Sequence, residues 1–355
     1  MDETTPTSRD SAPATPASAL PSFESCRAAV SAGAQSGIDA LGALPAPLQQ
    51  CCPELAGILR SSAVRTSLEI YTRQDAEAVR QQASLMQEAT RADVCLMAAG
   101  VTSGLVLLVA AVLPSGPEYV TPLGTINITL GLGIVTLALG AAGTFFGYIA
   151  RDQGRISRWQ ARRGEAEIAR LDVFTTIAGK AAEAGPAVAL HGLALVVRHL
   201  LDDQRNWLGA RALRHRKSSE ATSRWGGLAN ALTFIGGSGA IIASQAKGSI
   251  WIVLSGLIGA AIAAYAANRD ALRRDRANAD RYEKAQVALD GLSGRTDDVA
   301  ARIAAGEPKA LVAFTDAVTD LLATEHKQWL EGTAQAEASL GKLDAQLRQL
   351  TDTKK

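Results

Sequence analysis

The residues best suited to chemistry in this chain are its histidines and its adjacent carboxylates. His191 and His199 are eight residues apart, which on a helix puts them on one face but two turns apart. That separation is too large for both imidazoles to bind one ion. Asp202 and Asp203 are typical of a solvated helix face or a helix N-terminus. We therefore predict no metal site.

The four cysteines also lack the spacing of a metal site, and we expect free thiols of a reducing compartment: Cys26, Cys51, Cys52 and Cys95. The sequence contains no phosphate-binding loop with a lysine, no GxSxG elbow and no HExxH motif. The glycine-rich stretches Gly131–Gly133 and Gly236–Gly239 lie inside apolar segments, where they cannot serve as nucleotide loops. We predict no catalytic residue, no enzymatic activity and no cofactor.

The elements that would carry any function are four apolar segments without a charged residue: Val94–Leu113, Ile126–Ala150, Leu228–Ala246 and Ile250–Ala267. Each has about the 20 residues that are needed to cross a hydrocarbon core of roughly 30 Å. The third segment is the weakest candidate, because its Gly, Ala, Ser and Asn residues contribute little insertion energy. A soluble core of buried helices is the alternative for each pair.

The loops around these segments predict their orientation. The short connections PSGPEYVTPLGT and KGS carry a single lysine, whereas the other flanks are rich in arginine, such as Arg155 and Arg158 after the first pair and Arg273 and Arg274 after the second. The positive-inside rule then puts both termini in the cytoplasm. We predict an all-α, multi-pass protein of the inner (cytoplasmic) membrane, in which four transmembrane helices form two hairpins below a cytoplasmic bundle of long helices.

Small and hydroxylated residues recur at helical spacing inside the second and third segments. They are Thr129, Gly133, Thr136, Gly140, Thr144 and Gly147, then Asn230, Thr233 and Gly237. Such a face could line a weakly polar pore, or it could let two helices pack closely. The segments contain no charge, which argues against a proton relay.

The two halves of the chain match at a separation of 122 residues. Pro186 corresponds to Pro308, and Trp207 corresponds to Trp329 without a gap between them. We therefore predict a tandem duplication. The predicted divisions are a disordered tail over 1–22, a loosely packed helical region over 23–66, a first two-transmembrane unit over 67–208 (membrane 94–113 and 126–150) and a second unit over 203–350 (membrane 228–246 and 250–267) with a C-terminal helix.

The repeated unit resembles the SLATT superfamily of two-transmembrane domains, which are associated with SMODS and SLOG modules of bacterial conflict systems. The matching positions are Trp159, Arg163, Ala166, Glu167 and Arg170 after the first hairpin, Asp203 and Trp207 at the end of the first unit, and Glu325 and Trp329 in the second unit. Arg162 and Ala169 replace the usual Tyr and Leu, and the second copy of the first element is degenerate. The resemblance implies a pore-forming or membrane-perturbing effector of antiviral defence, triggered by a nucleotide messenger or a partner protein.

From these observations we expect an effector that is gated through its cytoplasmic helices. Four thin helices cannot enclose a wide pore, so we expect a homo-oligomer in the lipid bilayer, with a nucleotide-signalling or sensor protein encoded nearby as a possible partner. The near balance of 36 basic and 35 acidic residues argues against nucleic acid as a partner. The alternatives are a non-enzymatic membrane scaffold that recruits cytoplasmic partners, and a small transporter, although the broken helices of transporters are absent from the sequence.

Overall fold

The computed structural model describes residues 20–32, 36–42, 46–112, 118–121, 124–150, 152–243 and 274–352, together with seven residues between 256 and 266. The first 19 residues of the predicted disordered tail 1–22 lie outside the described residues. Most of the fourth apolar segment, Ile250–Ala267, lies outside them as well. The third segment is described as helix only as far as Ala243.

Four short helical elements open the described chain. They are α1 (Phe23–Ser31), a 3₁₀ turn (Ile38–Gly42), α2 (Ala46–Cys51) and α3 (Pro53–Leu59). Ser22 caps α1 by accepting a hydrogen bond from the Ser25 amide, and Pro53 opens α3 at a position where no amide hydrogen is needed.

The first hairpin is built from a very long helix and a shorter apolar one. Helix α4 (Ser62–Val112) is one continuous helix of 51 residues, and α5 (Ile128–Ala150) returns alongside it. Between them lies a two-stranded antiparallel hairpin of β1 (Glu118–Thr121) and β2 (Gly124–Asn127). The predicted membrane segment Ile126–Ala150 therefore begins in β2, and its helix starts at Ile128.

The chain then enters a bundle of helices. Helix α6 (Gln153–Glu183) begins after the Asp152 cap, and Gly185, whose φ of +110° suits glycine, separates it from the next helix. Helix α7 (Pro186–Val196) continues through a π turn (Val197–Leu201) into α8 (Asp202–Ala243). The second unit has α9 (Asp275–Ser293), α10 (Thr296–Ala304) and α11 (Lys309–Asp352).

Helix α7 is the centre of the main hydrophobic core. All nine of its residues from Val188 to Val196 are buried. The core extends to Phe174 and Ile177 on α6 and to Leu311 on α11. Burial of aliphatic side chains from both predicted units around one helix joins these parts of the chain into one hydrophobic core.

The N-terminal helices belong to the same core. Cys26 and Leu55 are fully buried, and Leu48 and Val30 are nearly so. Residues 23–66 therefore pack more closely than the loose helical region that the scattered Gly and Pro residues suggested. The reason is that α7 is apolar on every side, so it needs a cover on the face that α6 leaves open.

The prediction of a helical fold is confirmed, because the described residues are helical apart from short connections and one β-hairpin. The described residues contain one helix that is long and apolar enough to cross a membrane, Leu130–Ile149. This helix coincides with the second predicted segment. The other three segments stay predictions as membrane spans.

Candidate functional site

A polar cleft of about 380 Å³ lies in the helical bundle, between helices of the two predicted units. Its walls come from α4, α6, α8, α9 and α11, and the 3₁₀ turn covers one end. Eight of the nine positions that carry the family resemblance line this cleft, namely Trp159, Arg163, Glu167, Arg170, Asp203, Trp207, Glu325 and Trp329. The ninth, Ala166, is fully buried on α6. Residues from three separated parts of the sequence thus meet at one place.

Two edge-to-face aromatic pairs join the units across this cleft. Trp159 and Trp329 have ring centroids 5.2 Å apart at an angle of 89°, and Trp207 and Tyr282 have centroids 5.7 Å apart at 75°. Edge-to-face pairs of this kind contribute about 0.5–1.5 kcal/mol beyond the area that they bury. His326 stacks on Trp329 and Arg211 lies over Trp207, so both pairs have a further polar neighbour.

The two pairs lie at positions that the predicted duplication would relate. Trp207 and Trp329 occupy equivalent positions 122 residues apart, and Tyr282 follows Arg281 as Trp159 follows Arg158. Each unit therefore places its terminal tryptophan against the aromatic residue of the other unit. This reciprocal exchange makes the cleft a property of the pair of units, since neither unit supplies both partners of a pair.

Ion pairs hold the charged side chains of the cleft in place. Arg281 Nε donates to Glu325 Oε1 over 3.0 Å, and both side chains are about 85% buried. Burial raises the pKa of Glu325 above its usual range, and the guanidinium of Arg281 opposes that effect. Arg170 pairs with Glu167 in a similarly buried position.

Several buried nitrogen atoms at the cleft have no partner among the described residues. They are Arg170 Nε, Arg211 Nε and His326 Nε2. Burial lowers the pKa of His326, so the imidazole is held in its neutral form. A buried N–H without a partner costs free energy, which makes the two arginine Nε groups available to an acceptor that enters the cleft.

The covered end of the cleft is built around His199. This residue lies in the π turn, and its Nδ1 is 3.0 Å from the carbonyl oxygen of Gly37. Gly37 has a φ of +93°, which suits glycine, and Asp203 lies so close that a side chain at residue 37 would contact its carboxylate. Ser36 Oγ also donates to Asp203 Oδ1 over 3.4 Å. Turns of the π type are frequent at functional sites.

We expect acid to destabilise the bundle through His199. Burial lowers the pKa of His199 below its usual value of 6.5, so the unfolded chain takes up the proton first. Stability is then lost as the pH falls from 6.5 towards the lowered folded pKa. The variant His199→Asn keeps an N–H donor for Gly37 but cannot titrate in this range. In thermal melts, the melting temperature of the wild type should fall more between about pH 7 and about pH 5.5 than that of His199→Asn. An equal fall for both proteins would contradict this role of His199.

The predicted pore or packing face of α5 lies against α4 on one flank and is open on the other. Thr136 Oγ1 donates to Thr102 Oγ1 of α4 over 2.9 Å, and Gly147 lies next to Ala92. Among the described residues, none lies within contact distance of a side chain added at Gly133 or Gly140. Thr144 is exposed, and its hydroxyl donates to the Gly140 carbonyl. Packing against α4 thus involves only part of the face.

The remaining predicted positions of this face are described less fully. Thr129 lies in the first turn of α5, but its side chain lies outside the described residues. Asn230 and Thr233 are exposed on α8, and Thr233 Oγ1 donates to the Ala229 carbonyl. Gly237 lies in α8, and its surroundings lie outside the described residues. Their role in a pore stays a prediction.

Sequence reasoning missed Tyr71, Asp75 and His326 as parts of the cleft. The first two lie on α4, and Arg163 of α6 pairs with Asp75. The resemblance selected Arg163, but the local sequence pattern does not indicate that its partner is Asp75, which is 88 positions away. A signal was present for His326, which precedes Trp329 by one helical turn and therefore shares its face.

Comparisons of the chain with protein-family models, with curated proteins and with solved structures give no match.

Proposed function

We propose that this chain is a membrane effector, pore-forming or membrane-perturbing, that acts in bacterial anti-phage defence and is gated through its cytoplasmic cleft. Its four apolar segments would cross the inner membrane as two hairpins with both termini in the cytoplasm, and several copies would assemble in the bilayer. The resemblance to SLATT domains suggests the defence role and a trigger that is supplied by a nucleotide-signalling or sensor protein.

The observation that carries the proposal is the continuity of two helices between the cleft and the apolar segments. Helix α4 contributes Tyr71 and Asp75 to the cleft and runs without a break to Val112. Helix α8 contributes Asp203 and Trp207 and runs to Ala243. At 1.5 Å per residue, α4 is about 75 Å long. A change at the cleft can therefore tilt or rotate the membrane end of the same helix.

The exposed surface of the first hairpin supports lipid as its surroundings. Only 6% of the residues in the candidate span of α5 are buried, and Leu137 and Tyr148 are more than 70% exposed. Val94 and Leu96 of α4 and Phe234 of α8 are exposed as well. Exposed apolar surface of this extent is costly in water and is expected of helices in a bilayer.

One observation favours the alternative of a non-enzymatic membrane scaffold. The close contact of Gly143 with Leu96 and the hydrogen bond between Thr136 and Thr102 hold α4 and α5 together. A scaffold needs only this closed hairpin as an anchor, with the cytoplasmic bundle recruiting partners.

Substitution of Gly143 tests the effector against the scaffold. A side chain at residue 143 would lie 2.7 Å from Leu96 Cγ, so Gly143→Leu must push α5 away from α4. Gly133→Leu is the matched control, because no described residue lies within 4 Å of a Cβ added at residue 133. With the wild type strongly expressed in bacteria, a potential-sensitive dye should report depolarisation, which Gly143→Leu should largely abolish and Gly133→Leu should preserve.

The control for this experiment is the amount of each variant in the membrane fraction, which must be equal. If the membrane potential stays intact in cells that arrest with the wild type in their membrane, the pore mechanism is wrong. If in addition Gly143→Leu still co-purifies with cytoplasmic partners, the scaffold is the better function.

A further inference from the structure

The Cys51 thiol lies against a buried histidine of α7. Cys51 is the last residue of α2 and is exposed, whereas His191 on α7 is only 5% exposed. Cys51 Sγ and His191 Nε2 are 3.5 Å apart, which is within hydrogen-bond distance for sulfur. The pair joins residues 140 positions apart in the sequence.

The hydrogen bond of His191 Nδ1 determines whether Nε2 carries a proton. His191 Nδ1 is 3.0 Å from the carbonyl oxygen of Ala187, and a carbonyl only accepts hydrogen bonds. Nδ1 must therefore carry the proton of the neutral ring, which leaves the Nε2 lone pair facing the thiol. A base that is oriented by a third group and lies in contact with a thiol is the arrangement that activates a cysteine nucleophile.

The other described cysteines lack this arrangement. Burial raises the pKa of Cys26 to about 11 and also raises the pKa of Cys52 above its usual value, so both remain thiols that oxidants do not reach. Cys95 is partly buried on α4. Among the residues that the structure describes, Cys51 is the cysteine whose sulfur contacts a histidine nitrogen.

We propose that Cys51 and His191 form a nucleophilic pair that reacts with hydroperoxides, which makes Cys51 a site of reversible oxidation. His191 Nε2 takes the thiol proton, and the thiolate sulfur attacks one oxygen of the hydroperoxide. The S–O bond forms as the O–O bond breaks, and the leaving oxygen takes the proton from the imidazolium. A hydroperoxide ROOH and the thiol thus give the sulfenic acid and ROH, with sulfur oxidised by two electrons and the peroxide reduced by two.

Trapping of the sulfenic acid tests the proposal on the full chain. Hydrogen peroxide is added with dimedone at neutral pH, and mass spectrometry follows labelling of all four cysteines over time. Cys51 should label faster in the folded protein than in the urea-denatured chain, whereas Cys26 and Cys52 should label more slowly when folded. A Cys51 rate that does not exceed its denatured rate overturns the proposal, and this comparison needs no variant.

The variant His191→Asn tests the base. Asparagine can still donate to the Ala187 carbonyl but has no nitrogen at the Nε2 position, so the Cys51 rate should fall by about tenfold or more while the Cys95 rate stays unchanged. The labelling of Cys26 reports whether the core has opened. If Cys26 stays protected from labelling and the labelling rate of Cys51 is unchanged, the assignment of His191 as the base is wrong. If Cys26 becomes labelled, the core of the variant has opened, and the comparison of folded with denatured wild type decides.

Discussion

Gly259→Ala should move residue 259 away from α8 and lower the melting temperature of the purified protein by roughly 1–4 °C. An added Cβ would lie 2.6 Å from the Thr233 amide nitrogen and 2.7 Å from the Ala229 carbonyl oxygen of α8. Both contacts are with backbone, which cannot rotate away as a side chain can. Relief therefore requires a shift of the whole helix, and overpacking of this kind costs about 1–3 kcal/mol or more.

Gly227→Ala is the matched control for this prediction. Gly227 lies on α8, the helix that Gly259 approaches, and no described residue lies within contact distance of an added Cβ there. Because alanine has the higher helix propensity, this variant should melt at the wild-type temperature or slightly above it. Equal melting temperatures for both variants would contradict the close approach of residue 259 to α8.

Arg281→Met should destabilise the helical bundle around the cleft by about 3–5 kcal/mol near neutral pH. The variant leaves the Glu325 carboxylate buried without the cation that compensates it. The large cost comes from the unpaired charge, since the ion pair itself contributes little net stability. Chemical denaturation of the solubilised protein, followed by tryptophan fluorescence, measures the difference.

The pH dependence of the Arg281 variant has a definite sign. Removal of the guanidinium takes away the largest influence that opposes burial, so the folded pKa of Glu325 lies still further above the unfolded one. An acid with a raised folded pKa loses stability as the pH rises from the unfolded pKa through the folded one. The loss in free energy of unfolding caused by Arg281→Met should therefore be largest near neutral pH. It should shrink as the pH falls towards the pKa of Glu325 in the unfolded chain.

Two further variants test whether the loss of stability comes from the burial of an unpaired charge rather than from the loss of an ion pair as such. Arg216 pairs with Glu283, but both side chains are about half exposed, so Arg216→Met should cost about 1 kcal/mol or less. The double variant Arg281→Met with Glu325→Leu should recover much of the lost stability, because no buried charge then remains. A double variant as unstable as the single one would mean that Arg281 acts through packing on Tyr282 rather than through Glu325.

The sequence predicted the helical fold because apolar periodicity and apolar length are local properties. The helix over Leu130–Ile149 and the break at Pro186 follow from composition and from the missing proline amide within a few residues. The resemblance selected Trp159, Glu167 and Trp329 without any knowledge of contacts. What it could not show was that they line one cleft, because each lies on a different helix or a different turn.

The sequence by itself determined the helices and the chemical types that face the cleft. The tertiary structure alone decided which partners meet: Trp159 with Trp329, Cys51 with His191, and Gly143 with Leu96. It also distinguished Gly143 from Gly133, which look alike in the sequence. The physical reason is that helix periodicity fixes the direction of a side chain relative to its own axis, whereas the position of the neighbouring helix depends on packing of the whole core.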